Sequence, residues 1–238
     1  WYFDSPQIRF KNISITYPAN YYLLESFSHN SDTDSVNQNK ERFNAENTKN
    51  IPLQFILLNK SKYEREIIIN QNQQLCVHIP INSENNPLFN KDFLIRNIES
   101  QFNKVISFFE GANSRKIDVI QINWNKSGRV LGNQIICDST FFYNHKLLHE
   151  LIHLYSDIRA LKQDRGYFFI DESLTEFLAV FIYENFKSRN IYFSRKIAYY
   201  SLKLGTNNSI FEVKKNSKEN WALIYGKTPF IIICFLSG

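Results

Sequence analysis

One ten-residue run constrains this chain more than any other: Lys146 to Tyr155, KLLHELIHLY. Two histidines spaced four apart, His149 and His153, stand among Leu147, Leu148, Leu151, Ile152 and Leu154, and Glu150 follows the first of them. At 3.6 residues per turn, positions i and i+4 lie nearly above one another, so a helix here aims both imidazoles at one point. Its apolar sides must be buried against other elements, while the two rings need a shared polar space. Two neutral imidazoles held that close suit a zinc ion at about 2.0–2.1 Å from each nitrogen, the other reading being a helix with two surface histidines. Glu150 lies about 100° further round the helix, beside such an ion rather than on it. There it can take a proton from a water that the metal activates.

A third ligand candidate follows. Eighteen residues separate His153 from Glu172, which lies in Phe168 to Phe177, FFIDESLTEF. Leu174, Phe177, Leu178 and Phe181 predict an apolar side for a second helix that opens at Glu172 and places the carboxylate in its first turn. His149, His153 and Glu172 would then hold one Zn2+ and leave a fourth position open, as catalytic rather than structural zinc sites do. An acidic residue in a first turn is also favoured by the helix dipole alone.

HELIH, the eighteen-residue gap and DESLTEFLAVF together resemble the aminopeptidase N family of gluzincin metallopeptidases, whose pattern is HExxH and then a Glu within an NEGFAEY-like segment. Asp171 and Ser173 replace the usual Asn and Gly, and neither is expected to touch a ligand. Downstream, Tyr225-Gly226-Lys227-Thr228-Pro229-Phe230 resembles the family's YxKGA segment, with Thr228 and Pro229 in place of its Gly-Ala. The resemblance implies that Tyr225 stabilises an oxyanion, through a phenol hydrogen bond that strengthens in the transition state. The family's GxMEN strand carries a Glu that binds the free amino group of the substrate. Its counterpart here is Gly128-Arg129-Val130-Leu131-Gly132, with Leu131 at the Glu position. Val130, Leu131 and Gly132 are then candidate substrate-binding residues, pairing with an extended peptide along a sheet edge.

What the resemblance implies is an α+β chain with a thermolysin-like (gluzincin) catalytic region. It would hydrolyse the bonds of a peptide or protein substrate with Glu150 as general base and Tyr225 at the oxyanion. A peptide-binding module that retains the fold without catalysis is the alternative; the intact Glu150 argues against it, since mere binding has no use for a base beside the metal. Glu176, four residues after Glu172, is a candidate hydrogen-bond partner for a ligand imidazole, or else a solvated helix carboxylate. His145 is read as a helix-start or pocket residue, because a fourth protein ligand would close the open position. Cys137 is read as strand core.

Around this centre the chain divides by periodicity. Its first eighty residues predict strands: Ile8, Phe10, Ile13 and Ile15 nearly alternate, and Pro52 to Leu58 and Glu66 to Ile69 are short apolar runs. Ser26 to Asn50 is so polar that a mobile loop is expected. Asn82 to Pro87, NSENNP, marks the expected boundary between a β-rich part, residues 1–86, and a catalytic region, residues 87–238. Beyond it Phe93, Leu94, Ile98, Phe102, Val105, Ile106 and Phe109 mark one helix face, closed by Gly111. Strands are expected at Lys116 to Ile122 and Gln134 to Cys137, then helices near Asn144 to Ile158, Glu172 to Lys187, Ile191 to Leu204 and Glu219 to the end.

Composition excludes several classes. The chain is 43% apolar and 21% charged, ordinary for a globular protein. Its longest apolar run, Pro229 to Leu236, falls far short of the roughly 18–20 residues of a membrane span. The net charge of +5 comes from 28 basic residues scattered among 23 acidic ones, with no stripe suited to nucleic acid. Three cysteines are too few for a disulfide framework or a Cys-based zinc site, and the odd number leans toward a reducing, cytoplasmic compartment. The chain starts at Trp1 and has no Met, so its natural start is expected upstream; the apolar Phe230 to Leu236 suggests that it also continues past its last residue.

Leu131 generates a first prediction. A buried ammonium lacking a carboxylate partner carries a desolvation penalty of several kcal/mol, so hydrolysis should depend little on a free substrate N-terminus. The check compares kcat/KM for matched peptides with free and acetylated termini, and near-equal values are expected. A preference for the free amine of a hundredfold or more, about 2.7 kcal/mol, would show that a carboxylate elsewhere reads the amine.

Overall fold

Strand pairing dominates the first half of the chain and helices the second. The computed structural model describes residues 2–3, 12–25, 38–44, 53–81, 90–109, 115–122, 128–156, 167–183, 191–199, 220–221, 223–229 and 231–232. Two compact units emerge: residues 1–100 with 111–143, and residues 101–110 with 144–238. The expected boundary at Asn82 to Pro87 lies outside the described residues.

The first unit is built on three sheets. Strands β1 (Tyr2–Phe3), β5 (Leu53–Asn59) and β3 (Tyr21–Glu25) form one, in the order β1-β5-β3. Strands β2 (Asn12–Pro18) and β4 (Gln38–Asn44) pair antiparallel as the second. The third has the order β6-β7-β8-β10-β9, from β6 (Tyr63–Asn70), β7 (Gln73–Pro80), β8 (Lys116–Gln121), β9 (Gly128–Leu131) and β10 (Gln134–Cys137). Strands β7, β8 and β10 run parallel, with antiparallel edges at β6 and β9. A parallel step needs a crossover, and helix α1 (Lys91–Phe108) lies in the connection from β7 to β8. Leu24, Leu58 and Ile120 form a core with Tyr22, Ile56, Tyr63, Ile122 and Ile136, packing β3 and β5 against the five-stranded sheet.

The strand edge at β9 depends on two glycines. A Cβ at Gly128 would lie 2.2 Å from the Phe141 ring, so no larger residue fits there. Gly132 has φ 59° at the first central position of the two-residue turn into β10, a conformation that costs an L side chain about 1–2 kcal/mol.

Several expectations need correction. Within Ser26 to Asn50, residues 38–44 are not a mobile loop but strand β4, in register with β2 from Asn12↔Asn44 to Pro18↔Gln38. Backbone hydrogen bonds to a partner strand supply the order that an apolar pattern would otherwise announce. Strands β3 and β7 carry no expectation. In β7 both faces are largely buried, so no period-two signal exists. On α1 the buried face is Leu94, Ile98, Phe102, Val105 and Ile106, whereas Phe93 is exposed and stacks on Tyr143.

The second unit carries helices α2 (Lys146–Tyr155), α3 (Tyr167–Tyr183), α4 (191–199) and a π-helical turn, Leu223–Lys227. Helix α3 begins at Tyr167 rather than at Glu172, so the carboxylate stands in its second turn and owes nothing to a first-turn dipole. No helix among the described residues is long and apolar enough to cross a membrane.

Candidate metal centre

The site grows out of helix α2. A helix start leaves orphan amides, and here neighbouring side chains satisfy two of them: Asn144 Oδ1 accepts from the Lys146 amide at 2.8 Å and Gln101 Oε1 from the Leu148 amide at 3.1 Å. His145, at the cap position, makes no side-chain cap, which releases its ring for the interior. Leu147, Leu148, Leu151 and Ile152 are fully buried and fix the rotation of α2. His149 and His153 therefore point together, with ring centroids 4.8 Å apart. Both are buried.

Helix α3 packs against α2 and brings Glu172 to the same point. His153 Nε2 lies 3.1 Å from His149 Nε2, His149 Nε2 lies 3.4 Å from Glu172 Oε2, and His153 Nε2 lies 3.6 Å from Glu172 Oε1. Ligands at zinc distances sit about 3.3–3.4 Å apart at the corners of a tetrahedron, so these separations fit a zinc ion. The far side of each ring agrees. Glu176 Oε2 is 3.0 Å from His149 Nδ1, and a carboxylate only accepts, so Nδ1 carries the proton and the Nε2 lone pair turns inward. His153 Nδ1 faces Asp171 Oδ1 at 3.3 Å and Thr175 Oγ1 at 3.4 Å. Two inward ring nitrogens and a carboxylate this close call for positive charge between them, a metal ion or a proton. This is the one such cluster of His, Cys, Asp and Glu among the described residues.

Asp171 thus does meet a ligand ring, against expectation. The early start of α3 places Asp171 and Thr175 on one helical stripe, four residues apart, beside the stripe of Glu172 and Glu176. Tyr225, on the π-helical turn, donates its Oη hydrogen to Glu172 Oε2 at 2.9 Å. Glu150 is half-buried, and its charge favours the protonated form of His149. Val130 and Leu131 lie on the edge strand β9 of the first unit, with Gly132 in the turn that follows.

Sequence reasoning missed Lys196 and Tyr192. On helix α4 they stand four apart on one face, and both reach Glu176: Tyr192 Oη donates to Oε1 at 2.9 Å, and Lys196 Nζ pairs with the same oxygen. Tyr192 Oη is also 3.0 Å from His145 Nε2, which lies 3.3 Å from Glu176 Oε1. The signal in the sequence was the i, i+4 spacing of two polar-tipped side chains in a helix of otherwise unassigned purpose.

Charge follows geometry. Burial alone would raise the Glu176 carboxyl, but the Lys196 charge and the imidazoles of His145 and His149 hold it well below its usual value. Burial likewise opposes a charged His149, yet hydrogen bonds to Glu172 and Glu176 push it up to about 10. Hydrogen bonds and charge from His149 and His153 hold Glu172 well below the usual carboxylate range against its own burial. Without metal, a proton provides the cation.

The fold is similar to that of M1 zinc metallopeptidases of known structure. An M1 zinc metallopeptidase from Deinococcus radiodurans superposes with a TM-score of 0.61 at 12% identity, over 90% of this chain and 49% of that one. A glutamate-to-alanine mutant of an M1 zinc metallopeptidase from Deinococcus radiodurans, bound to a Tyr-Ser-Ala substrate, gives 0.58 at 12% identity, over 92% and 50%. A two-domain M1 mutant bound to L-arginine gives 0.54 at 11% identity, over 80% and 44%. The chain thus spans about half the length of these proteins. No protein-family model matches it, and no curated protein matches it in sequence.

Two predictions follow. Glu172→Ala should weaken zinc binding, read by competition with a chelator; unchanged affinity would move the third ligand elsewhere, and not to Glu176, which sits behind His149 on its Nδ1. Zinc uptake at pH 7 should also release about one proton, because a ring that titrates near 10 is charged at neutral pH and must be neutral to bind metal. Titration calorimetry in buffers of different ionisation enthalpy measures this; uptake without release would show His149 already neutral.

Proposed function

We propose that this chain carries the catalytic centre of a zinc metallopeptidase, hydrolysing peptide bonds in a peptide or protein substrate. The observation that carries the reading is the convergence of His149, His153 and Glu172 within 4.8 Å, with the general-base candidate Glu150 next to the first ligand in the chain. The similarity of fold to M1 zinc metallopeptidases supports it. In this reading the region is thermolysin-like.

His149, His153 and Glu172 hold the ion, which when bound supplies a Lewis acid that acidifies water and polarises a carbonyl. Glu150 takes the proton of the attacking water and delivers it to the nitrogen of the leaving amine. Tyr225 donates to Glu172 at rest and turns the same hydrogen toward the carbonyl oxygen as negative charge builds there. Glu176, with His149 Nδ1 on one oxygen, fixes the tautomer of that ring.

Glu150→Gln separates the base from the ligands. It should bind zinc like the parent and lose peptide hydrolysis by about 10²–10⁴-fold, measured on metal-loaded protein with a peptide mixture read by mass spectrometry. Substantial turnover by zinc-loaded Glu150→Gln would remove Glu150 from the mechanism.

A further inference from the structure

Helix α4 supplies a charge that the proposed reaction itself does not use. Glu176 is 4% exposed and accepts on both oxygens: His149 Nδ1 on Oε2, and Tyr192, His145 and Lys196 on Oε1. Among the described residues, Lys196 is the one lysine or arginine paired with it. A carboxylate this deep needs a compensating charge, or it swings toward water or takes a proton. Either change would free the His149 ring to rotate about its own axis. Lys196 also lies over two aromatic faces, with Nζ 4.9 Å from the centroid of Tyr192 and 5.4 Å from that of Tyr225. Attraction between an ammonium and a ring face holds the ring as well as the cation. One ammonium thus touches the group behind His149 and the phenol ring whose hydroxyl rests on Glu172.

We propose that Lys196 is a positioning residue of the metal centre, anchoring Glu176 so that His149 presents its inward nitrogen. This inference rests on the reading of His149, His153 and Glu172 as metal ligands. Lys196 acts through Glu176, so its effect on metal binding exists only while Glu176 carries charge. A residue that merely filled space would matter equally with or without that charge.

The test is a double-mutant cycle on zinc affinity, by competition with a chelator, in the parent chain, Lys196→Met, Glu176→Gln and the double variant, with Lys196→Arg alongside and circular dichroism reporting the fold of each. Lys196→Met should weaken zinc tenfold to a hundredfold, and Lys196→Arg should restore most of it. In the Glu176→Gln background, Lys196→Met should change nothing further. The visible spectrum of cobalt-loaded protein should shift in Lys196→Met and coincide in Glu176→Gln and the double variant. Equal losses in both backgrounds, or no loss in either, overturn the proposal. Should Lys196→Met fail to fold, the double variant has no unpaired charge and decides: affinity like that of Glu176→Gln supports the proposal, weaker affinity overturns it. A parent chain that binds no zinc overturns the metal site itself, a failure read before any variant is compared.

Discussion

Three electron-pair donors converging on one buried point set a requirement that the rest of the second unit answers. The polar atoms of His149, His153 and Glu172 stand 3.1 to 3.6 Å apart and face one another, and only positive charge makes that arrangement stable. The inward direction is not a property of the donors themselves. It is imposed from behind, by Glu176 on one imidazole and by Asp171 and Thr175 facing the other. Those groups are mostly buried in turn, so they need partners of their own, and the chain of dependence runs outward to Tyr192, Lys196 and His145 before it meets solvent. A buried polar network of this kind stabilises only when each member is satisfied.

One geometric device recurs at each step. His149 and His153, Glu172 and Glu176, Asp171 and Thr175, and Tyr192 and Lys196 are each separated by four residues on a helix. That spacing puts two side chains about 5–6 Å apart on one face, the scale on which a small ion and its supporting shell must be built. Helix α2 offers two of the residues that could hold an ion, α3 offers the third with supporting groups on adjacent stripes, and α4 offers the outer pair. Leucines on α2 and Phe177 and Val180 on α3 set the rotation of each helix about its axis, so apolar packing aims the polar groups.

How much of this was legible in the sequence follows from whether a signal was local. His149, Glu150 and His153 announce themselves within five residues, and Glu172 becomes readable once its segment is compared with a known pattern. Strands β8 and β10 fall where short β-branched runs predict them. Strand β4 was hidden because its order comes from backbone pairing with residues some 26 positions earlier in the chain, which leaves no apolar trace. The start of α3 was hidden because acidic Glu172 looked like a first-turn residue while aromatic Tyr167 to Phe169 look like neither cap nor turn. Lys196 was hidden for a different reason. Its purpose is defined by Glu176, and no spacing rule connects residues twenty apart on different helices.

The first unit supplies a contrast that clarifies why the centre is built on helices. His78 and Asp118 also form a buried pair there, Nε2 to Oδ1 at 2.8 Å, with exposures of 0% and 3%. They reside on neighbouring strands β7 and β8, and Arg65 donates nearby to Cys76 Sγ at 3.1 Å. Successive side chains of a strand point to opposite faces, and those on one face recur roughly 7 Å apart. Here β7 and β8 each bring one such group to the shared point. His78 meets Asp118 through Nε2 alone, and the contact stops at a pair. A helix returns a second donor to the same face after one turn, so two helices in contact can gather three ligands and still leave one direction open. Here the helical repeat, together with the apolar packing that sets the rotation of α2 against α3, gathers His149, His153 and Glu172 within 4.8 Å.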